Sequence, residues 1–282
     1  MKLLDLINKL ENSIFLVDAS GVLYSSNGFL AQASKTFNYL QTKSPTFLAS
    51  NNSYHYVNDI KENLYSDGNI TLNVDNIISS GHGLAKDPTL SNLIENKIIY
   101  FIGPDSAKHY ALDAPIKGLT TDIDKAEAII LAGFNESQSQ DILETVTAKA
   151  KKDPTLPIIC CNKDRYIRAN QKLQPVVGYF AKKVENRINR PIHWFGKPLK
   201  NFSDLVTHHL NAHNLSPNKS TLFFDDNIDN VVSMQNHLGI SGCWVKETGI
   251  YFNEDEKDLI KKYGKPTYSI EKFNLNETLK TY

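Results

Sequence analysis

Three carboxylates follow apolar runs that have the length of buried strands. Asp18 follows the run IFLV, and Asp225 and Asp226 follow the run TLFF. Because ligands of parallel α/β sheets bind beyond the carboxyl ends of the strands, we expect these side chains to lie near one another. Carboxylates in close proximity repel each other unless a cation neutralises them. Mg²⁺ suits a site of carboxylates, waters and one backbone carbonyl, for which Ser20 is the candidate.

Hydroxyl, amide and ammonium groups follow two further apolar runs. Ser50, Asn51 and Asn52 follow TFLA, and Lys197 follows IHWF after one glycine. Backbone N–H groups at the start of a helix bind anions, so Ser50 and the two asparagines are expected to form a phosphate cradle there. The Lys197 ammonium would offset negative charge on a nucleophile and on a phosphoryl group in transfer. The four strand ends together indicate phosphoryl chemistry.

Short apolar runs alternate with longer segments of helical periodicity. Alternation of this kind favours an α/β fold with a parallel sheet and helices on both of its faces. Strands are predicted at 14–17, 46–49, 98–102, 128–132, 157–161, 192–195 and 221–224. Helices are predicted near 28–40, 54–65, 137–151, 175–187, 201–213 and 229–238. An amphipathic helix is predicted before the first strand from Leu3, Leu6, Ile7 and Leu10.

The composition is typical of a globular protein of one large or two modest domains. The 282 residues include 31 basic and 31 acidic side chains, so nucleic acid and anionic membranes are not expected partners. No stretch approaches the roughly 18 uncharged apolar residues of a membrane span. Three cysteines, two of them adjacent, do not form a disulfide framework, which favours a reducing compartment. We expect a cytoplasmic protein, and a homo-oligomer is left open.

The order of four motifs resembles the haloacid dehalogenase superfamily. The motifs are DASGVL, SNNS, GKP and FFDDNIDNV. The long insertion between the second and the third is similar to that of the NagD-like branch of class IIA, and the resemblance covers essentially the whole chain. It implies a Rossmann-like parallel-sheet core formed by residues 1–77 and 190–282. An inserted α/β cap domain, formed by residues 78–189, would close over the site.

The resemblance implies a role for each motif residue of the core. Asp18 matches the nucleophile that forms a phospho-aspartyl intermediate. Ser50 and Asn51 match the phosphate-contacting motif. Lys197 matches the basic third motif, and Asp225 matches the Mg²⁺-binding acid of the fourth motif. Asp226 or Asp229 is the candidate for a further acid at the metal. Gly21 and Asn52, which adjoin these motifs, are assigned to substrate binding.

Two segments of the cap also resemble this branch. IICCNKD at 158–164 resembles a strand end that carries an Asn-Pro-Asp motif in relatives, so Asn162 and Asp164 are candidate substrate-binding residues. VVGYFAKKVE at 176–185 resembles the loop and helix that carry a glycine near the substrate, here Gly178. The partner implied by the whole pattern is a small phosphorylated metabolite.

Ser20 departs from the pattern of the superfamily. Most of its phosphatases have an Asp two residues after the nucleophile, which protonates the leaving oxygen and then activates water. A serine hydroxyl is too weak an acid for either task, and loss of a general acid-base costs about 10²–10⁴-fold in rate. We therefore expect a Mg²⁺-dependent phosphatase biased toward aryl or acyl phosphates. The alternatives are a degenerate member that retains ligand or partner binding and, less favoured, a phosphotransferase.

Overall fold

Most strands of the chain belong to two sheets whose neighbouring strands run parallel. A computed structural model describes residues 1–133, 139–170 and 172–282. The strands are β1 (Phe15–Val17), β2 (Tyr24–Ser25), β3 (Gly28–Phe29), β4 (Thr46–Ser50), β5 (Ile77–Ser79), β6 (Ile98–Ile102), β7 (Gly118–Thr120), β8 (Ala128–Leu131), β9 (Ile158–Cys160), β10 (Tyr166–Ala169), β11 (Lys172–Pro175), β12 (His193–Trp194), β13 (Leu222–Asp225), β14 (Ser241–Val245), β15 (Tyr268–Ile270) and β16 (Lys280–Thr281). The α-helices are α1 (Leu3–Lys9), α2 (Ala33–Lys43), α3 (Val57–Ser66), α4 (Gly83–Lys86), α5 (Pro88–Ile94), α6 (Lys108–Leu112), α7 (Ser139–Lys152), α8 (Val177–Ile188), α9 (Lys200–Ala212), α10 (Ile228–Leu238) and α11 (Glu256–Tyr263).

The larger sheet has the order β16-β15-β14-β13-β1-β4-β5. Its neighbouring strands are parallel except for the edge pair β15 and β16. The interior strand β1 is apolar and buried in all three residues, as a strand covered on both faces of a parallel sheet must be. Its register places Val17 between Leu48 and Phe224. The polar residues that follow these three strands therefore emerge at one edge of the sheet.

The smaller sheet lies in the insertion between β5 and the return of the chain to the larger sheet. Its order is β12-β9-β8-β6-β7, and all its pairs are parallel. It has a hydrophobic cluster of its own, in which Ile129 of the sheet packs with Val146 of α7 and Val184 of α8. This second core confirms the predicted fold class, a Rossmann-like parallel sheet with an α/β insertion.

One predicted strand belongs to the other sheet. The segment 192–195 was expected in the larger sheet, but β12 pairs with β9 of the smaller sheet, His193 beside Ile159 and Trp194 beside Cys160. The predicted boundary at residue 189 therefore precedes the last strand of the insertion. We propose that residues 78–194 form the cap and that the remainder of the chain forms the core.

The predicted elements agree with the structure to different degrees. Each predicted strand begins and ends within one residue of an observed strand. The helix predicted from residue 28 begins instead at Ala33, because Gly28–Phe29 pairs with Tyr24–Ser25 in a short hairpin. The helix predicted near 137–151 corresponds to α7, Ser139–Lys152, and its predicted positions 137 and 138 lie outside the described residues. No helix in the described part of the chain is long and apolar enough to cross a bilayer.

Several short elements were not predicted. The antiparallel hairpin of β10 and β11 belongs to the cap, and β14 extends the core sheet beside β13. The sequence SGCWV of β14 is buried in four of its five residues, so an apolar signal was present. The hairpin strands are mostly exposed or half-buried, and only their pairing distinguishes them from a loop.

Leu16→Ala is expected to lower the free energy of unfolding by about 2–5 kcal/mol. Leu16 lies in the middle of β1 with 0% of its surface exposed, so truncation removes apolar contacts and leaves a cavity. Denaturant unfolding measures the loss. Leu173→Ala is the matched control, because Leu173 is 47% exposed and should cost less than about 0.5 kcal/mol. Equal losses in the two variants would contradict this prediction.

Candidate active site

The buried ammonium of Lys197 joins two strand ends of the core. Its Nζ lies 2.9 Å from Oδ1 of Asp18 and 2.6 Å from Oδ2 of Asp225, and it donates to the carbonyl of Ala49 at 2.9 Å. Burial alone would lower the pKa of Lys197, but Asp18 and Asp225 raise it above its ordinary value. The ammonium is therefore a fixed positive charge, with 0% of the residue exposed.

Asn51 holds the backbone that carries Lys197. Its Oδ1 accepts from the Lys197 N–H at 2.7 Å, and its Nδ2 donates to the Lys197 carbonyl at 3.0 Å. Gly196 permits this approach, because its φ is +113° and a Cβ there would lie 2.7 Å from Asn51 Oδ1. The lysine thus reaches the core site from a strand of the cap sheet, rather than from a core strand as predicted.

Asp18, Asp225 and Asp226 form an acidic cluster, in which the three ligand atoms lie within 4.8 Å of one another. Burial raises the pKa of Asp225 to about 7, against the opposing effect of Lys197. Burial, followed by the charges of Asp225 and Asp18, raises the pKa of Asp226 well above its ordinary value. Three carboxylates therefore share one ammonium in a buried place, which leaves negative charge to be neutralised.

The donor set of the acidic cluster fits a hard divalent cation such as Mg²⁺. Carboxylate oxygens at this spacing are the ligands that such ions prefer. Asn230 donates to both oxygens of Asp225 at 3.3 Å. Its own Oδ1 is buried and has no hydrogen-bond partner within the described residues. Ser20 lines the same small cavity as Asp18 and Asn230, so its proposed carbonyl ligation is compatible with the geometry.

The turn that follows Asp18 determines which further acid joins the cluster. Gly21 has φ +79°, and a Cβ there would lie 2.4 Å from Asp226, so any larger residue would displace this member of the cluster. Asp226 is thus the further acid of the cluster, whereas Asp229 lies outside it and accepts from Ser233 at 3.3 Å. The geometry gives Gly21 a place beside the metal candidates, and its assignment to substrate remains a prediction.

Ser50 and Asn52 lie beside the acidic cluster, but not at a helix start. Ser50 is the last residue of β4 and lines the same cleft as Asn52. The side chain of Asn52 accepts from the backbone N–H groups of Tyr54 at 3.1 Å and His55 at 3.0 Å. The prediction that this segment opens a helix is wrong, since α3 begins only at Val57. A turn capped by Asn52 takes its place, and phosphate contact here is still a prediction.

The loop after β9 brings a cap carboxylate to the core. Asn162 Oδ1 accepts from the N–H of Asp164 at 2.8 Å, and Asp164 Oδ2 accepts from Asn51 Nδ2 at 3.0 Å. Burial raises the pKa of Asp164 to about 6, although Lys197 and Asn51 act in the opposite direction. Gly178 lets α8 pack on this loop, because a Cβ there would lie 2.3 Å from the Asp164 carbonyl oxygen. A direct substrate contact of Gly178 is not tested by this packing.

A cleft of about 400 Å³ lies between the core and the cap and is lined by Asp18 and Asp164. Sequence analysis did not identify Tyr24, His55 and Gln174, which line it too. Burial, and then the charge of Asp18, raises the pKa of Tyr24 to about 12. The alternating pattern of YIRANQKLQP around Asn170 could have indicated the hairpin that carries Gln174. No sequence pattern near Tyr24 or His55 indicates their position.

Comparison with known families agrees with this geometry. The family model of haloacid dehalogenase-like hydrolases matches residues 15–117, a segment that includes the strand ends of Asp18 and Ser50. The predicted resemblance to this family is thereby confirmed over the matched segment, and a large insertion lies where the NagD-like resemblance predicts it. No curated protein sequence matches the chain significantly.

Solved structures of low sequence identity share the fold of this chain. A "possible sugar phosphatase" of the superfamily from Cytophaga hutchinsonii has a TM-score of 0.79 at 22% identity, covering 97% of this chain and 97% of that chain. The p-nitrophenyl phosphatase from Archaeoglobus fulgidus has a TM-score of 0.74 at 20% identity, and the match covers 92% of this chain and 96% of that chain. The glycerol phosphate phosphatase from Mycobacterium tuberculosis, in complex with calcium, has a TM-score of 0.75 at 15% identity. This match covers 97% of this chain and 76% of that chain. At these identities the similarity concerns the fold.

Mg²⁺ is expected to stabilise the protein more at about pH 8 than at about pH 5. The pKa of Asp225 is raised in the folded state from 3.8 to about 7, so the metal-free folded protein holds a proton that the unfolded chain releases. This contribution to stability is complete below about pH 4 and is lost as the pH rises towards about 7. A cation binds the deprotonated cluster and should add about 2.7 kcal/mol at a hundredfold excess over Kd.

Thermal unfolding with and without Mg²⁺ at the two pH values measures this difference. Asp226→Asn should remove most of the stabilisation, because it deletes one carboxylate of the cluster. Asp258→Asn, at an exposed position of α11, is the control that should retain it. If Mg²⁺ stabilises the wild type equally at both pH values, or stabilises Asp226→Asn as strongly as the wild type, the acidic cluster is not the cation site.

Proposed function

We propose that this protein is a Mg²⁺-dependent phosphatase of small phosphate monoesters that acts through a phospho-aspartyl intermediate on Asp18. The observation that carries the proposal is the 2.9 Å ion pair between Asp18 and Lys197 beside the cleft. The ammonium orients the carboxylate and offsets its charge when an anionic phosphate approaches. A nucleophilic carboxylate beside a candidate cation site is the arrangement that phosphoryl transfer through a covalent intermediate requires.

The family and its neighbours support this proposal. The matched family consists of hydrolases, and the neighbours named above include phosphatases of p-nitrophenyl phosphate and of glycerol phosphate. The structure of the latter in complex with calcium supports a divalent cation at the acidic cluster of this chain.

The reaction divides between two groups of residues. Asp18 attacks phosphorus, and its new P–O bond forms as the bond to the leaving oxygen breaks. Ser50 and the two backbone N–H groups that follow it would hold the phosphoryl oxygens. The Lys197 ammonium would offset the negative charge of Asp18 and of the phosphoryl group. Mg²⁺ bound by the acidic cluster would neutralise the phosphate and orient it. Water then displaces Asp18 from phosphorus and releases phosphate.

The cleft favours an uncharged alcohol as the remainder of the substrate. No Lys or Arg is present among the described residues that line it. Its polar groups beyond the acidic cluster and Asp164 include the hydroxyl of Tyr24 and the amides of Asn52, Asn162 and Gln174. Neutral groups of this kind hydrogen-bond to hydroxyls, whereas a second anion would lie without a cation in a partly buried place.

Ser20 supports one alternative, a degenerate protein that binds a ligand without turnover. The residue that usually handles protons two positions after the nucleophile is absent, while the candidate nucleophile and cation ligands are present. This alternative predicts that Mg²⁺ and phosphate bind but that phosphate esters are not hydrolysed. A cytoplasmic location is also proposed from the sequence, whereas the oligomeric state stays open.

Asp18→Asn is expected to reduce phosphate release from p-nitrophenyl phosphate by at least about 10³-fold, because an amide cannot form the phospho-enzyme. A colorimetric assay with Mg²⁺ measures the rate over a panel of aryl, acyl and alkyl phosphates. The matched control is Asp258→Asn, which makes the same chemical change at an exposed position.

Two outcomes of this assay would contradict the proposed function. A wild type as inactive as Asp18→Asn across the whole panel, with Mg²⁺ binding intact, supports the degenerate alternative. A fully active Asp18→Asn would show that another residue attacks the substrate.

The charge of the cleft predicts a preference between two substrates of similar size. Glycerol 3-phosphate should be hydrolysed with a kcat/KM at least about tenfold higher than 3-phosphoglycerate, because the carboxylate of the latter finds no cation in the described lining. Steady-state kinetics with both esters measure the ratio. A ratio near or below one would contradict the proposed class of uncharged alcohols.

A further inference from the structure

The proposed phosphatase reaction lacks a proton donor in the loop of the nucleophile. When the ester bond breaks, an alkyl leaving group takes the electron pair and becomes a strongly basic alkoxide unless it is protonated. Ser20 occupies the position where the superfamily usually has an acid, and its hydroxyl cannot perform this task at neutral pH. Another group in the cleft must supply the proton if alkyl esters are substrates.

Besides the phenols of Tyr24 and Tyr54, two titratable side chains outside the acidic cluster line the cleft within the described residues: His55 and Asp164. Burial raises the pKa of Tyr24 to about 12, so it is a poor acid at neutral pH. Burial lowers the pKa of His55, so its imidazole is mainly neutral and lacks the proton of the cationic form. Asp164 differs, because burial raises its pKa towards the neutral range.

The contacts of Asp164 leave one of its oxygens available. Oδ2 accepts from Asn51 Nδ2 at 3.0 Å. No hydrogen bond or ion pair joins Oδ1 to another of the described residues, so this oxygen can carry the proton. Asn162 fixes the backbone of the residue by accepting from its N–H at 2.8 Å. Asp164 lines the same cleft as Asp18 and also the small cavity beside Ser20.

We propose that Asp164, delivered by the cap, is the general acid-base of the proposed phosphatase reaction in place of the residue at position 20. The assignment rests on the proposed function and goes beyond it by naming the group that handles the proton. The anchoring by Asn51 holds the carboxyl group in the cleft only while the cap contacts the core, so cap closure completes the catalytic set.

The proton is accounted for in both steps. In the first, an oxygen of Asp18 bonds to phosphorus, the ester P–O bond breaks, and Asp164 gives its proton to the leaving oxygen to form an alcohol. In the second, the Asp164 carboxylate takes a proton from water as that water bonds to phosphorus, and the bond between phosphorus and Asp18 breaks. The net reaction consumes one water and releases the alcohol and phosphate, and both carboxyl groups return to their initial states.

Asp164→Asn tests the proposal through its dependence on the leaving group. The asparagine keeps an oxygen that can accept from Asn51 but has no acidic proton. Turnover of an alkyl ester such as glycerol 3-phosphate should fall about 10²–10⁴-fold. Turnover of p-nitrophenyl phosphate, whose leaving group needs no proton, should fall less than about tenfold in its first step, measured as the release of nitrophenol before the steady state.

A purely structural contact between cap and core predicts a different result. Arg168→Met is the matched control, because Arg168 of the cap donates to the carbonyl of Glu247 in the core and stacks on Phe252 at 3.9 Å. Loss of this contact should affect both esters by the same factor. Equal losses for both esters in Asp164→Asn as well would overturn the general acid assignment and leave a positioning role.

Restoring the usual acid provides an independent test. In the double variant Ser20→Asp/Asp164→Asn, alkyl ester turnover should recover at least about tenfold over Asp164→Asn alone, because the aspartate at position 20 takes over the proton. No recovery, in a double variant whose Ser20→Asp parent is active, would contradict the proposal.

The failure of this inference is distinguishable from failure of the proposed function. Thermal unfolding with Mg²⁺ and with inorganic phosphate reports whether the site is assembled, independently of turnover. Both ligands should stabilise wild type and Asp164→Asn equally. A wild type without phosphatase activity rejects the proposed function. An active wild type whose alkyl ester turnover is unchanged by Asp164→Asn rejects only the role of Asp164.

Discussion

The site depends on one buried ammonium held between two carboxylates. Lys197 touches both Asp18 and Asp225 and the backbone of β4 through Ala49, so it connects the ends of three neighbouring core strands. Removal of one partner from such a pair leaves an uncompensated buried charge, which is strongly unfavourable. The cost of desolvation is offset only when all partners are in place, and the arrangement therefore specifies one geometry for the strand ends.

Asn51 extends this constraint from the core to the cap. One amide side chain accepts from the backbone of Lys197, donates to its carbonyl and donates to Asp164. The position of the ammonium and the position of the cap carboxylate are thus coupled through a single planar group. In addition, β12 of the cap sheet leads directly into the turn of Lys197, so the backbone joins the cap sheet to the residue that lies between Asp18 and Asp225.

In the proposed mechanism, the fixed charges and the proton donor lie on different parts of the fold. Fixed charges belong to the core strand ends, where burial and parallel register keep them close together. The proposed proton donor belongs to a cap loop whose backbone is turned by Asn162 and packed by Gly178. A serine at position 20 is compatible with the proposed reaction in this arrangement, because the proposed acid follows a different strand from Asp18, the proposed nucleophile.

The sequence by itself determined the local chemistry of this protein. Apolar runs of strand length and the polar residues after them were sufficient to place Asp18, Ser50 and Asp225 at one edge of a parallel sheet, because the pattern of a buried strand is local. The motif order was sufficient to predict the match to the haloacid dehalogenase-like hydrolase model and the insertion between the two segments of the larger sheet. Short hairpins and the start of α2 were not predictable with the same certainty, since their backbone pairing depends on only a few residues.

The tertiary structure alone decided which groups act together. It placed the strand before Lys197 in the cap sheet, selected Asp226 over Asp229 for the acidic cluster, and brought Asp164 to Asn51 across a separation of 113 residues. These are contacts between segments distant in the chain, and they depend on packing, on positive φ angles and on the desolvation of charges. Packing, backbone angles and desolvation are properties of the folded chain, so a short segment of the sequence does not specify them.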